Sequence, residues 1–479
     1  MLTLADIMEA LTGVRPEGAN RVIPEACIDS RRVIPGSMFV ALPGERVDGH
    51  DFVTEAFHQG AEFALVQKDM GGQFSVLDLR SRQPVQVLSA TITAPLKSQP
   101  LCIWVEDSLK ALQEVARFWR RKLNVRIIGI TGSVGKSTTK ELVAEVLSQR
   151  YRTLKNPGNL NNEIGLPLTL LSLSEGYQCA VLEMGFYVLG EIAFLCDLAL
   201  PHVGLVTNIG TVHAERAGSQ EEIALGKSEL VRALPASPEG VAVLNYDDPL
   251  VKEMAGLTQA RVMFYGLSPE ADLWADQVEG LGLEGIRFRL HYQGEVLHLR
   301  VPLIGRHSVQ TALRATAVGL AEGLTWQEIV NGLRSGTTQL RLMAVRSKSG
   351  ALILDDTYNA SPESTLAALN LLYELKGRKI AVLGDMLELG IYEQLGHEMV
   401  GIRTAEVADV LITVGERGKM IAATAIQSGM PSSAVIVVDN TQQAVDLLNE
   451  ILLPDDVVLV KGSRGVRMDR IVAALEYEK

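Results

Sequence analysis

The stretch RIIGITGSVGKSTTKELVAEVL, residues 126–147, decides the fold of the central part of this chain. An apolar, strand-like run leads into a glycine-rich turn, which is followed by Lys136, by hydroxyl residues and by a segment with helical spacing. Gly132 and Gly135 would let backbone N–H groups approach phosphate oxygens, while Lys136 would add a positive charge and Ser137 could bind Mg²⁺. The order of strand, turn and helix therefore predicts a phosphate-binding loop.

The loop matches the pattern T-G-x-x-G-K-S and not the longer pattern with a glycine five residues before Gly135, because Ile130 stands at that position. A purely structural glycine-rich turn is the alternative, but such a turn would not need Lys136. The residues predicted to bind nucleotide here are Thr131, Gly132, Ser133, Val134, Gly135, Lys136, Ser137 and Thr138.

The sequence around this loop predicts an α/β fold with three domains. Apolar runs such as CAVLEM (179–184) and HVGLVTNIG (202–210) alternate with helical segments, which is typical of a mostly parallel sheet. The segment 285–303 alternates apolar and polar residues on both sides of Gln293-Gly294, so it predicts an antiparallel hairpin before a helix that begins near His307. We assign residues 1–106 to a small N-terminal α/β domain and 107–339 to a central nucleotide-binding domain.

Residues 340–479 form the third predicted domain. Five strand-like runs, each followed by a segment of helical spacing, indicate a second doubly wound sheet of the Rossmann-like type. These runs are GALILDD (350–356), KIAVLGD (379–385), DVLITVG (409–415), SAVIVV (433–438) and DVVLVKG (456–462).

The composition excludes some classes of protein. The formal net charge of −12 disfavours nonspecific binding to nucleic acid, so a phosphate group would need a local cluster of donors. The four cysteines show no C-x-x-C pairing, and we expect buried, reduced thiols. The first residues lack the basic flank and apolar run of a secretory signal, and no apolar stretch of about 18 residues follows. We therefore expect a cytoplasmic protein without membrane insertion.

Polar residues at the ends of predicted strands suggest a metal site beside the phosphate loop. Glu183 ends the run CAVLE, and Asn208, His213 and Glu215 follow the next strand, so all should reach one edge of the sheet. The alternatives are a solvent-exposed carboxylate for Glu183 and a structural histidine for His213, because Mg²⁺ prefers oxygen donors. Lys227 lies on a helical segment, and spacing alone would make it a surface lysine.

At this point the sequence resembles the Mur ligase family over nearly its whole length. The resemblance is carried by TGSVGKS (131–137), NNEIGLPLTLL (161–171), LEMG (182–185), TNIG (207–210) with His213, and GKSEL (226–230). DSRRVIPGSMFVALPGERVDGHDFV (29–53) is similar to the UDP-binding first domain of some members. DDTYNASPES (355–364), VLGDMLELG (382–390) and VKGSRGVRMD (460–469) are similar to the last domain of the members that add a terminal dipeptide.

The resemblance implies roles for particular residues. It places Lys136 and Ser137 at the ATP phosphates and Mg²⁺, Glu183 and His213 on the metal, and Lys227 as a carbamylated lysine that organises a second Mg²⁺ ion. Other positions follow in the same way: Ser30 and Arg31 at the uridine nucleotide, Asn161, Asn162 and Glu163 near the acceptor peptide or phosphates, and His307, Arg341, Asp356, Tyr358 and Asn359 at ATP.

The implied activity is ATP-dependent addition of D-alanyl-D-alanine to UDP-N-acetylmuramoyl-tripeptide, by a monomer. ATP would convert a carboxylate into an acyl phosphate, which an amine then attacks. The alternatives are a related ligase with another acceptor and a catalytically silent nucleotide-binding partner, which Ser308 and Thr311 keep open because they stand where the family usually has asparagine. Phe186 and Tyr187 stand where many relatives have small or polar residues, and we interpret both as packing residues.

Overall fold

The computed structural model describes residues 1–44, 47–80, 100–211, 219–335 and 343–476, and it divides into two compact units. The first unit consists of Met1–Gly129, Tyr151–Gly185 and Glu191–His202, and the second consists of Ile130–Arg150, Phe186–Gly190 and Val203–Lys479. The domain boundaries placed after residues 106 and 339 stay predictions.

Strands and α-helices alternate along most of the described chain. The strands are β1 (Ala26–Cys27), β2 (Met38–Val40), β3 (Phe63–Val66), β4 (Ser75–Asp78), β5 (Leu101–Trp104), β6 (Arg126–Thr131), β7 (Thr153–Lys155), β8 (Cys179–Glu183), β9 (Val203–Val206), β10 (Val241–Asn245), β11 (Arg261–Gly266), β12 (Leu273–Gly280), β13 (Ile286–Tyr292), β14 (Glu295–Val301), β15 (Met343–Arg346), β16 (Leu352–Asp356), β17 (Lys379–Gly384), β18 (Val410–Val414), β19 (Val435–Val438) and β20 (Val457–Lys461). The helices are α1 (Leu4–Thr12), α2 (Val53–His58), α3 (Ser108–Lys122), α4 (Lys136–Leu147), α5 (Gly165–Leu171), α6 (Glu191–Ala199), α7 (Gln220–Arg232), α8 (Pro249–Glu253), α9 (Ser308–Ala321), α10 (Trp326–Arg334), α11 (Pro362–Glu374), α12 (Glu393–Val407), α13 (Gly418–Gln427), α14 (Thr441–Ile451) and α15 (Asp469–Leu475).

The first unit contains a parallel sheet with the strand order β1-β2-β3-β5-β4. The residues of β3 are all buried, as expected for a central parallel strand that is covered on both faces. The helix α1 precedes this sheet, and its own start is fixed by a capping box between the Thr3 and Asp6 side chains. This sheet confirms the small α/β domain predicted near the N-terminus.

In the second unit, the strands β9 to β12 are parallel neighbours, and β13 and β14 continue the sheet in antiparallel fashion. The turn between β13 and β14 has positive φ angles at Gln293 (49°) and Gly294 (84°), which is the geometry of a tight two-residue hairpin. The predicted hairpin and the predicted helix start near His307 are both confirmed, since α9 begins at Ser308.

The last part of the second unit is a six-stranded sheet with the order β15-β16-β20-β17-β18-β19, parallel except for β15. Apolar side chains from α11, α12 and α13 pack on one face, and those from α14 and α15 pack on the other. Helices therefore cover both faces, which confirms the predicted doubly wound sheet.

Two sequence-based expectations concern the chain as a whole. Each of the four cysteines is buried and free, and burial raises the pKa of the Cys102 thiol to about 12, as expected for inert core thiols. Among the helices that the structure describes, none is both long enough and apolar enough to cross a bilayer.

Candidate active site

The phosphate loop lies between the end of β6 and the start of α4, as the sequence predicts. Gly135 caps α4 with a left-handed φ of 84°, and Gly132 has a φ of 139°. A Cβ atom on Gly132 would lie 1.9 Å from the Thr207 hydroxyl oxygen, so no larger residue fits there. The loop backbone is therefore shaped by two glycines and by the neighbouring residue at the end of β9.

The two residues that follow β9 hold the backbone of the phosphate loop through hydrogen bonds. The N–H of Ser133 donates to the Asn208 carbonyl (2.9 Å), and the N–H of Val134 donates to the Asn208 side-chain oxygen (3.0 Å). The Thr207 hydroxyl donates to the Val134 carbonyl at 2.8 Å. Asn208 thus holds the phosphate loop, and its predicted place near a metal stays a prediction.

Lys136 stands at the first position of α4 with its ammonium group over the loop. The ammonium group donates to the carbonyls of Gly132 (2.7 Å) and Ser133 (3.1 Å), and Ser137 and Thr138 follow in the first helical turn. A helix N-terminus carries a partial positive charge and favours an anion. The loop thus combines a fixed backbone, a positive charge and hydroxyl groups, which is the chemistry that a polyphosphate requires.

Arg314 also belongs to this loop, although the sequence reasoning missed it. The side chain is 4% exposed, and its guanidinium donates to the Tyr265 hydroxyl (2.9 Å) and to the Thr207 carbonyl (3.3 Å). A Cβ atom on Gly135 would lie 2.9 Å from the Arg314 Nη1 atom. The available signal was a single arginine inside the otherwise small and apolar segment of α9, since a buried charge needs specific partners.

Lys227 is buried and is not the surface lysine that helical spacing alone predicted. Only 1% of its surface is exposed, on an α7 whose start is fixed by a capping box between Ser219 and Glu222. Burial lowers the pKa of Lys227 well below its ordinary value, and the positive charge of Lys136 lowers it further. A role of Lys227 at the phosphate loop stays a prediction.

Phe186 covers the Lys227 ammonium group. The Lys227 Nζ atom lies 4.7 Å from the centre of the Phe186 ring, which is within the range of a cation–π contact. Phe186 is 3% exposed, which confirms that it packs, whereas Tyr187 is 38% exposed and its packing role stays a prediction. The ring also lies directly against Gly226, the residue before Lys227.

Glu183 lies in the first unit, and the structure joins it to Asn161 as a pair. Its carboxylate accepts from the Asn161 amide at 2.8 Å, and the residue is 2% exposed, so it is not a solvent-exposed strand-end carboxylate. Asn156, which the sequence analysis did not select, is fully buried and bonds the backbone N–H (2.9 Å) and carbonyl (3.2 Å) of Glu183. These amides fix the position of the carboxylate.

The remaining predicted substrate residues of the first unit have separate partners. The Asn162 side chain accepts from the N–H of Gly165 at 2.9 Å and so stabilises the start of α5, while the Glu163 side chain is exposed. The Ser30 hydroxyl donates to Glu55 (2.8 Å), and Arg31 pairs with Asp29 (2.8 Å). Ser30 is buried and the Arg31 side chain is 81% exposed, so they do not form one cluster.

In the six-stranded sheet, three of the residues predicted to contact ATP lie at the last residue of β16 and in the loop that follows it. The Asp356 carboxylate is paired with Lys461 at 2.6 Å, while the side chains of Tyr358 and Asn359 are exposed. His307, before α9, is also exposed, and its ring lies back over Gly305. The sequence analysis did not select Lys461.

Ser308 and Thr311, which stand where the family usually has asparagine, are both buried in α9. Ser308 is 5% exposed and donates to the Ile304 carbonyl at 2.6 Å, and Thr311 is 7% exposed. Both side chains therefore belong to the helix packing.

The donors available for Mg²⁺ are oxygen atoms. Within the described ranges, no three His, Cys, Asp or Glu side chains lie close enough to hold a metal ion together, and His213, Glu215 and Arg341 lie outside those ranges. The Glu183 carboxylate and the Ser137 hydroxyl supply the hard oxygen ligands that Mg²⁺ prefers. Each side chain, taken by itself, therefore has the donor chemistry that the predicted metal requires.

Comparison with known proteins agrees with this geometry over the whole chain. Three family models match: "Mur ligase family, catalytic domain" over residues 23–120, "Mur ligase middle domain" over 130–319 and "Mur ligase, glutamate ligase domain" over 340–464. The UDP-N-acetylmuramoyl-tripeptide–D-alanyl-D-alanine ligase of Bacillus subtilis (strain 168) is 34% identical over 480 residues, covering 99% of this chain and 98% of that protein.

Solved structures give the same result. MurF from Acinetobacter baumannii superposes with a TM-score of 0.81 at 30% identity, covering 98% of this chain and 97% of that chain. The MurF ligase from Thermotoga maritima in complex with ADP has a TM-score of 0.76 at 28% identity, with 97% of each chain covered. The three family models match successive parts of the chain, and the relatives cover almost all of it. Because the sheets and the phosphate loop agree with these matches, the protein belongs to the Mur ligase family.

Proposed function

We propose that this protein is an ATP-dependent ligase that joins D-alanyl-D-alanine to the peptide carboxylate of UDP-N-acetylmuramoyl-tripeptide. The observation that carries the proposal is the full-length similarity to a ligase named for this reaction, together with a braced phosphate loop that holds Lys136. The buried Lys227 supports it further, because a simple phosphate-loop kinase or GTPase does not require a second, buried lysine on this helix.

The reaction requires a poor electrophile to be activated. The γ-phosphoryl group of ATP passes to the substrate carboxylate, which releases ADP and forms an acyl phosphate. The dipeptide amine then attacks the acyl carbon, and the tetrahedral intermediate expels phosphate as the amide bond forms and the amine loses a proton. Such transfers depend mainly on positioning and electrostatics. Lys136 and the N-terminus of α4 would offset the repulsion between the phosphates and the carboxylate.

Metal ions and a modified lysine complete the proposal. Ser137, Glu183 and His213 would hold Mg²⁺, which when bound neutralises phosphate charge. A second ion would be organised by Lys227 as a carbamate. Formation of this carbamate joins the neutral amine to carbon dioxide and releases a proton, and the lowered pKa of Lys227 favours the neutral amine that this step needs. Isotope-labelled bicarbonate should then give a carbamate signal that Lys227→Met lacks.

The remaining assignments come from the resemblance and stay predictions. Ser30 and Arg31 would bind the uridine nucleotide, Asn161, Asn162 and Glu163 would lie near the acceptor, and His307, Arg341, Asp356, Tyr358 and Asn359 would contact ATP. The contact of Asn161 with Glu183 supports the second group, because it ties a predicted substrate residue to a predicted metal ligand. A cytoplasmic location and a monomeric state also belong to the proposal.

The deciding experiment measures phosphate release by the purified protein with ATP, Mg²⁺ and UDP-muramoyl-tripeptide, in the presence or absence of D-alanyl-D-alanine. We expect dipeptide-dependent release with a tripeptide that ends in lysine or in meso-diaminopimelate. Lys136→Ala should abolish the release, whereas Lys110→Ala, at a side chain that is 77% exposed, should not change it. Absence of release with either tripeptide would instead favour another acceptor or a catalytically silent partner.

A further inference from the structure

Lys461 is a buried charge that the proposed reaction does not yet use. It ends β20, directly opposite Asp356 at the end of β16, and it is 1% exposed. Its ammonium group donates to the Asp356 carboxylate at 2.6 Å and to the Asn359 carbonyl at 2.9 Å. One side chain thus holds the beginning and the middle of the loop at residues 356–360.

A second contact from the same strand end reaches the last residue of this loop. The Ser463 hydroxyl lies 3.5 Å from the Ala360 carbonyl and accepts from the N–H of Leu387 at 2.9 Å. Between these anchors, the side chains of Tyr358 and Asn359 are exposed, at 39% for Tyr358. The loop is therefore fixed through its backbone and through Asp356, while two polar side chains face outward.

Burying a lysine is expensive unless its bonds are good, and replacing a whole buried ion pair by apolar residues of similar volume often leaves the stability unchanged or raises it. The geometric effect of Lys461 is specific, because its bond to the Asn359 carbonyl fixes a backbone group that lies beyond Asp356, the last paired residue of β16. Charge-assisted bonds of this kind order the groups they join. The cluster therefore determines the shape of the loop.

We propose that Lys461 is a positioning residue for nucleotide binding, which holds the 356–360 loop in the form that presents Tyr358 and Asn359 to ATP. This inference rests on the proposed function, in which these residues contact ATP. Lys461 itself would not touch the nucleotide, because it is buried beneath the loop.

The test compares two ion pairs on the same sheet, each with one buried partner: Lys461 in the first pair and Asp456 in the second. Lys461→Met removes the pair beneath the loop. Arg378→Met is the matched control, because Arg378 pairs with Asp456 at 2.6 Å where β17 and β20 begin, away from the loop. Both variants lose an ion pair of the same length and leave a carboxylate without its cation, although the Arg378 side chain is 36% exposed and that of Lys461 is 1% exposed. The measurements are the KM for ATP, the kcat, the affinity for a non-hydrolysable ATP analogue and the hydrogen exchange of peptides that cover residues 356–360.

We expect Lys461→Met to raise the KM for ATP and the Kd of the analogue by roughly tenfold or more, the equivalent of one charged hydrogen bond. In Lys461→Met, hydrogen exchange should become faster in the peptides that cover the loop. Arg378→Met should leave the KM and the Kd within about twofold of the wild-type values. The proposal would be overturned if the two variants changed the nucleotide affinity equally. It would also be overturned if Lys461→Met left the hydrogen exchange of the loop peptides unchanged. If Lys461→Met does not fold, Lys461→Gln replaces it in the same comparison, because glutamine keeps a hydrogen-bond donor but no charge.

Failure of the proposed function would be visible separately. A wild-type protein that binds the ATP analogue but releases no phosphate with the dipeptide would refute the ligase proposal, while the binding and exchange measurements would still decide the role of Lys461.

Discussion

Gly226→Ala is a sharp test of the packing around Lys227. Gly226 lies within α7, one residue before Lys227, and its Cα atom faces the Phe186 ring. In an open helical position, alanine would stabilise the helix by about 1 kcal/mol relative to glycine. Here an added Cβ would lie 2.0 Å from Cε2, 2.5 Å from Cζ and 2.8 Å from Cδ2 of the ring.

The size of the effect follows from these distances. Carbon atoms in ordinary contact are about 3.5–4.0 Å apart, so the ring would have to move by roughly 1.5 Å. Phe186 is buried, and overpacking of a core usually costs roughly 1–3 kcal/mol. The clash is severe, so its cost should exceed the gain in helix propensity. We expect a net destabilisation of about 1–2 kcal/mol.

Hydrogen exchange of peptides from α7, combined with urea denaturation, would measure this loss. Gly256→Ala is the control, because nothing lies within 4 Å of a Cβ at that residue. The decisive comparison uses a background of Phe186→Ala, which empties the space, so that Gly226→Ala should become neutral or stabilising there. The same destabilisation with and without the ring would refute the reasoning, and so would a stabilising effect in the wild-type background.

Two further predictions concern other buried charges. Arg314→Met should destabilise the second unit by about 2–3 kcal/mol in urea denaturation, because it removes the bonds to the Tyr265 hydroxyl and the Thr207 carbonyl; an unchanged stability would contradict this. Burial alone would raise the pKa of Asp6, but hydrogen bonds from Thr3, Arg15 and Lys122 lower it to about 2. Since the folded pKa lies below the unfolded value of 3.8, Asp6 stabilises the fold above about pH 4, and roughly 2 kcal/mol should be lost as the pH falls towards 2. Asp6→Asn should remove that part of the acid sensitivity of the first unit.

Much of the architecture could be predicted because it depends on short-range patterns. The glycine spacing around Lys136, the hairpin turn at Gln293-Gly294 and the five strands after residue 340 are all local features, and each was found where the sequence placed it. Burial of the cysteines followed from their apolar neighbours. Hydrophobic periodicity and turn chemistry act over a few residues, so the sequence displays them directly.

The site depended more on contacts between distant segments. Spacing placed Lys227 on a helix surface, yet Phe186, which is distant in sequence, covers it. Asn208 was expected at the sheet edge near a metal, and its bonds to the phosphate loop could not be read from the sequence. Arg314 and Lys461 were missed because a charged residue in an apolar segment does not reveal its partners, which here come from other strands.

The sequence by itself determined the succession of strands, turns and helices, the phosphate loop and the family resemblance, because these are written in residue order and local spacing. The tertiary structure alone decided which charges are buried and which groups compensate them. Burial depends on the elements that pack over a side chain, and those elements are brought together only when the sheets form. Lys227 and Lys461 owe their environments to that packing.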